Sequence, residues 1–97
     1  MPHITPQEFE YASEITSRAL VAATKAMQKF PQPNYVLTKV AEEAGEVVKA
    51  GVHIAEGRDF IWSDLEEECV QTIAMCLRLL IEGDQVIGLI PPHRTEP

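Results

Sequence analysis

Basic residues are scarce in this chain. Against 15 Asp and Glu stand 8 Lys and Arg, a formal net charge of −7 over 97 residues. So acidic a balance argues against non-specific binding to nucleic acid, which needs clustered cations against phosphates. It likewise argues against docking on an anionic membrane. It leaves a nucleotide open as ligand, provided that metal ions bridge the two negative parties. Cysteine is nearly absent: Cys69 and Cys76 are the two present. Seven residues apart, they fall on one side of a helix, too distant to bond to each other. With no CxxC and no Cys/His pair spacing, a zinc site is not expected. An apolar run of about 18 residues is also lacking, so no membrane span is expected. Met1 to Thr5 has neither the basic nor the apolar block of a leader. Free buried thiols and no leader predict a cytoplasmic protein.

What the chain does have is apolar material, 45% of its residues, enough for a folded domain. Breakers divide it into three helical stretches within one domain spanning residues 1–97. The first, over 5–30, starts with Thr5 as cap, Pro6 at the first helical position and Glu8 completing a capping box. Phe9, Ala12, Ile15, Ala19, Ala22, Ala23, Ala26 and Met27 recur at helical spacing. Pro31 and Pro33 break the helix, and Asn34 is placed to cap a second one over 35–56. Its apolar stripe is Leu37, Val40, Ala41, Ala44, Val47, Val48, Gly51 and Ile54, and Gly57 stops it. A third helix over 63–82 opens with a Ser63/Glu66 capping box and ends at Gly83. Its apolar face is Leu65, Cys69, Ile73, Cys76, Leu77, Leu80 and Ile81. The tail, 85–97, is either an extended arm on a neighbouring subunit or a loose end. Three helices with no fourth leave an apolar face uncovered. The expected fold is therefore an all-α antiparallel bundle completed as a homodimer or homotetramer.

Nine of the fifteen acids lie between Glu42 and Glu68. On the second helix Lys39, Glu42, Glu43, Glu46, Lys49 and His53 share one arc, opposite the apolar stripe. Glu42 and Glu46, four apart, have side-chain roots about 6 Å from one another. On the third helix Asp64, Glu67, Glu68, Gln71 and Arg78 share an arc. Helices joined by a short loop lie antiparallel and adjacent, so these arcs can meet. Five or more converging carboxylates then need cations, or protons taken up at raised pKa. Hard divalent ions such as Mg²⁺ or Mn²⁺ favour such oxygen donors. The plain alternative is a solvated helix face laced with ion pairs.

The segments Lys39–Lys49, KVAEEAGEVVK, and LEEECVQTIAMCLRLL from Leu65 resemble the MazG-like all-α nucleoside triphosphate pyrophosphatase superfamily. Its hallmark is EExxE on one helix and ExxD on the next, followed by an apolar run. Glu42, Glu43 and Glu46 match the first motif; the second falls on Glu68 and Gln71, with Gln in place of Asp. The resemblance spans residues 35–82. It implies Mg²⁺- or Mn²⁺-dependent hydrolysis of a nucleoside triphosphate to a monophosphate and pyrophosphate, by a dimer or tetramer. It implies metal-holding roles for Glu42, Glu43, Glu46 and Glu68, with Gln71 offering a neutral oxygen and Glu67 or Asp64 substituting. Glu43 would take the proton of the attacking water. Lys39, Lys49 or Arg78 would hold phosphates, and Trp62 or Tyr35 would stack on the base. An aspartate at position 71 is expected to tighten metal binding. Two other readings stay open: a non-catalytic metal- or nucleotide-binding helical dimer of the same fold, and a relative of the phosphoribosyl-ATP pyrophosphohydrolases. Each candidate also has a plain role: Lys39 and Lys49 balance acids, Trp62 and Tyr35 cover a core edge, and Arg78 bridges to a neighbouring helix. His53 is read as an exposed histidine and Glu66 as a cap.

Overall fold

A computed structural model describes residues 3–94. Three helices make up most of it: α1 (Pro6–Lys29), α2 (Val36–Ala55) and α3 (Trp62–Glu82). A 3₁₀ turn, Pro92–Arg94, follows. Among the described residues there is no β-strand, and a lone antiparallel bridge joins Asp84 to Leu89. The molecule is all-α, as the periodicity predicts. No described helix is long and apolar enough to cross a membrane.

The helix ends differ in how they are satisfied. At α1 the capping box forms: Thr5 Oγ1 accepts from the Glu8 N–H at 3.0 Å, and Glu8 Oε1 accepts from the Thr5 N–H at 2.7 Å. At α2, Asn34 does not cap. Tyr35 occupies the cap position and offers no side-chain bond. The orphan N–H of Leu37 donates instead to Asp84 Oδ2 at 3.0 Å, a carboxylate 47 residues further along. Asp84 is 1% exposed, and its other oxygen accepts from the Val86 N–H. At α3 the expected Ser63/Glu66 box is replaced by one two residues earlier, at Ile61 and Asp64. The helix begins at Trp62, and Asp64 Oδ2 accepts from the Ile61 N–H at 2.8 Å. Glu66 is thereby free to reach α1.

The described part of the tail, up to Arg94, folds back on its own chain; residues 95–97 lie outside the described residues. Gly83 has φ +71° and ends α3, and Leu89 closes on Asp84. A Cβ at position 83 would stand 2.1 Å from the Leu89 carbonyl oxygen, so this turn needs glycine. The Gln32 amide ties the same end together. Its oxygen accepts from the Asn34 and Gln85 N–H groups, and its nitrogen donates to Glu82 and the Gly83 carbonyl.

Helix α3 is the central element; α1 and α2 both pack on it. The α1 side is built from small residues: Ala19 and Ala23 meet Val70, Ala74 and Met75, flanked by Ile15, Ala22 and Ala26. Alanines let the two backbones approach closely. Along α2 the inward positions are Val36, Val40, Glu43, Val47, Ala50 and Ile54, all buried or half-buried. Their alternating spacing of four and three residues is that of a two-helix seam. The wider stripe expected for α2 is not buried as a whole: Leu37 is 43% and Val48 is 65% exposed. One neighbour covers only a narrow arc of a helix. For the same reason the expected apolar face of α3 stays partly open, with Leu80 69% exposed, while Val70, Ala74, Met75 and Arg78 are buried.

Candidate metal centre

The acidic motif of α2 does not lie wholly on the outer arc. Glu43 occupies a seam position between Val40 and Val47 and is half-buried. Across the seam, α3 presents Glu68, also half-buried. Burial pushes the Glu43 carboxyl above its ordinary range, and the charges of Glu68, Glu46 and Glu42 push in the same direction. Lys39, half-buried on the same helix, opposes them. Glu42 and Glu46 flank Glu43 on the exposed side. The structure thus brings Glu42, Glu43, Glu46, Glu68 and Lys39 within one electrostatic neighbourhood. Lys49 is exposed further down α2.

The donor chemistry fits a hard divalent cation: carboxylate oxygens from two facing helices, one of them held at raised pKa by burial and then by its acidic neighbours. The side chains do not form a tight cage. Among the described residues, no three carboxylate, imidazole or thiol groups stand together as a ready coordination shell.

The remaining candidates sit elsewhere. Glu67 and Gln71 turn toward α1. Gln71 Nε2 donates to Glu67 Oε1 at 3.1 Å, and Arg18 binds both Glu67, at 3.0 Å, and Glu66, at 2.8 Å. Arg78 is 1% exposed, with its guanidinium donating to Glu82 and to the Phe30 carbonyl. That enclosure replaces the phosphate-holding role expected for it, because no phosphate reaches a guanidinium so covered. Tyr35 and Trp62 are 60% and 62% exposed at the starts of α2 and α3. Trp62 lines a groove of about 400 Å³ with Tyr11, Ile15, Cys69 and Ile73, rather than standing among the glutamates. His53 packs edge-on against Phe60, their ring centroids 4.8 Å apart.

Sequence reasoning missed the part played by α1. Arg18 and Lys25 line a groove of about 470 Å³ with Glu14, Glu67 and Gln71. The signal was legible: Arg18, Lys25 and Lys29 recur at helical spacing in a chain short of cations. The Glu66 carboxyl, bonded first by the Tyr11 hydroxyl and then by Arg18, lies below its ordinary range.

Compared with protein families, curated proteins and solved structures, the chain matches none.

Proposed function

We propose that this protein is a Mg²⁺- or Mn²⁺-dependent nucleoside triphosphate pyrophosphohydrolase. The observation that carries this reading is Glu43: a half-buried carboxyl set in the α2–α3 seam, facing the like-charged Glu68, with its pKa raised. A structural seam has no use for that pair, and replacing it by apolar residues would stabilise the bundle. Perturbed carboxyls of this kind mark sites of proton transfer or cation binding.

In this reading Glu42, Glu46 and Glu68 supply the oxygens that hold the cation. When bound, the cation offsets the charge of the triphosphate and of the departing pyrophosphate. Glu43, poised above an ordinary carboxylate, accepts a proton from water. The water oxygen bonds to the α-phosphorus as the bond from that phosphorus to the bridging oxygen breaks. A nucleoside monophosphate and pyrophosphate result. Lys39, beside Glu43, holds a phosphate oxygen by charge. The MazG-like motif pattern of Glu42, Glu43, Glu46 and Glu68 supports the assignment by resemblance. Both thiols are free, which accords with a cytoplasmic setting, and the working form in this reading is a homo-oligomer.

The test is pyrophosphate release from a panel of common and modified nucleotides, with Mg²⁺ or Mn²⁺ and with Glu43→Ala as control. Release that disappears in the variant supports the reading; no release from any nucleotide contradicts it. One observation favours a second reading, a metal- or nucleotide-binding module without turnover. Gln71 stands where the related motif has aspartate, and its amide is bonded to Glu67. Cation and nucleotide binding by calorimetry, without hydrolysis, would select that reading.

A further inference from the structure

Glu42, Glu43 and Glu46 lie on α2, and Glu68 lies on α3. The site they form exists only while α2 keeps its place along α3. The two ends of α2 are held differently. Its last turn runs into the short loop to α3, where the Gly57 and Arg58 N–H groups donate back to Ile54 and His53. Its first turn has neither an acidic residue nor a side-chain cap of its own. What ties this start to the end of α3 is Asp84. One carboxylate oxygen accepts from the Leu37 N–H and the other from the Val86 N–H, each at 3.0 Å. The N–H and carbonyl of Asp84 pair with Leu89, at 2.9 and 3.0 Å. Every polar atom of this buried residue is thus engaged. Gln32 adds a second tie, its oxygen accepting from both the Asn34 and the Gln85 N–H groups.

We propose that Asp84 is a positioning residue of the glutamate site: by capping α2 from beyond the end of α3, it fixes the register at which Glu42, Glu43 and Glu46 meet Glu68. The inference rests on the reading of that seam as a cation site. A cap supplied by Asn34 or Tyr35 would satisfy an orphan N–H and stabilise α2 as a helix. It would leave α2 free to shift against its neighbour. A cap from the α3 end joins two helices as well as ending one. Taking a carboxylate out of water is costly; here two N–H donors and the positive end of α2 offset that cost. The tie also stands where it is needed. Glu43 and Glu68 carry like charges across the seam, and their repulsion pushes α2 outward. Between the start of α2 and Glu43, the apolar residues turned inward are Val36 and Val40. Apolar contact is non-directional, so it permits a slide that a hydrogen bond resists. Leu37 precedes Glu43 by about 9 Å along the helix axis. Over so short a length a helix is stiff, and a shift of its start carries Glu43 with it.

Titration of the whole chain with Mn²⁺, reading the free ion by electron paramagnetic resonance, tests this at a temperature where circular dichroism shows each variant folded. Asp84→Ala should weaken Mn²⁺ binding about 10-fold, as is usual for residues that orient metal ligands. Asp84→Asn, which keeps one acceptor, should weaken it less. Thr5→Ala removes the cap of α1 and lowers stability without touching α2, so its Mn²⁺ affinity should equal that of the native chain. Unchanged affinity in Asp84→Ala, or an equal loss in Thr5→Ala, overturns the inference and leaves the cation reading standing. A native chain that binds no Mn²⁺ overturns both. A measurement on the native chain guards against a variant that unfolds. Coupling between two sites is reciprocal, so saturating Mg²⁺ should slow hydrogen exchange at the Leu37 amide more than at the Glu8 amide of the α1 cap. Equal slowing at the two amides, or none at Leu37, overturns the inference.

Discussion

The two seams of α3 are opposites. Toward α1, charges are matched: Arg18 joins Glu66 and Glu67, the Tyr11 hydroxyl donates to Glu66, and beneath them small residues interlock without a polar group between. Toward α2, charges are mismatched: Glu43 is set into an otherwise apolar seam, facing Glu68. Both seams join long helices in one small domain, so the difference is not imposed by the fold. A bundle selected only for stability would treat them alike. On the proposed reading, the first seam holds the structure and the second gives up stability to keep a carboxyl poised.

The sharpest way to break this contrast is Glu43→Gln, which keeps shape and removes charge. Turnover should fall by about 10²–10⁴-fold, the usual worth of a positioned base. The metal-free protein should melt at higher temperature at neutral pH. The sign follows from the raised pKa of Glu43. Its protonated form is favoured in the folded state, so the native chain loses stability as pH rises through the folded pKa and regains it below. The stability difference between native chain and variant should therefore shrink on acidification, as seen by thermal denaturation across pH. Metal affinity should show the reverse trend and weaken as Glu43 becomes protonated.

The converse experiment attacks the matched seam. Ala74 is fully buried, and Ala74→Leu should destabilise the fold by about 1–3 kcal/mol through overpacking. Urea denaturation would measure the loss, while Mn²⁺ binding by the folded protein should be unaltered. A smaller effect is expected from Tyr11→Phe. Glu66 lies below its ordinary pKa, chiefly through the Tyr11 hydroxyl. Its contribution is present above the unfolded pKa and is lost as pH falls through the folded one. The variant should thus lose part of the acid sensitivity of unfolding and little else. Smallest of all should be Gln71→Asp. It removes a donor to Glu67 and adds a charge three residues after Glu68. Cation binding measured by calorimetry should tighten by several-fold at most, with a slight loosening of the α1 seam.

The helices were legible because their signals are local. Thr5, Pro6 and Glu8 mark one start, Pro31 and Pro33 a break, and Gly57 and Gly83 two ends. The rotation of each helix was not legible. The apolar arc of α2 runs from Leu37 to Ile54 and is wider than one neighbour can cover, so its buried part depends on the partner. Read from α2 alone, Glu43 belongs with the outer acids; only α3 reveals it as a seam residue. The true cap of α2, Asp84, lies too far along the chain for any local rule. Arg78 was misplaced for a related reason. Its wheel position is polar, but Glu82 and the turn at Phe30 enclose it.

The central claim is that Glu68, together with Glu42 and Glu46, holds a cation beside Glu43 at the α2–α3 seam. Paramagnetic broadening of backbone amide signals during a Mn²⁺ titration tests it most directly. The account predicts that amides around Glu43, Glu46 and Glu68 vanish first, at substoichiometric ion, and persist in the Glu43→Gln, Glu68→Gln double variant. Broadening spread evenly over all exposed acids, or centred on Glu66 and Glu67 beside Arg18, would contradict it.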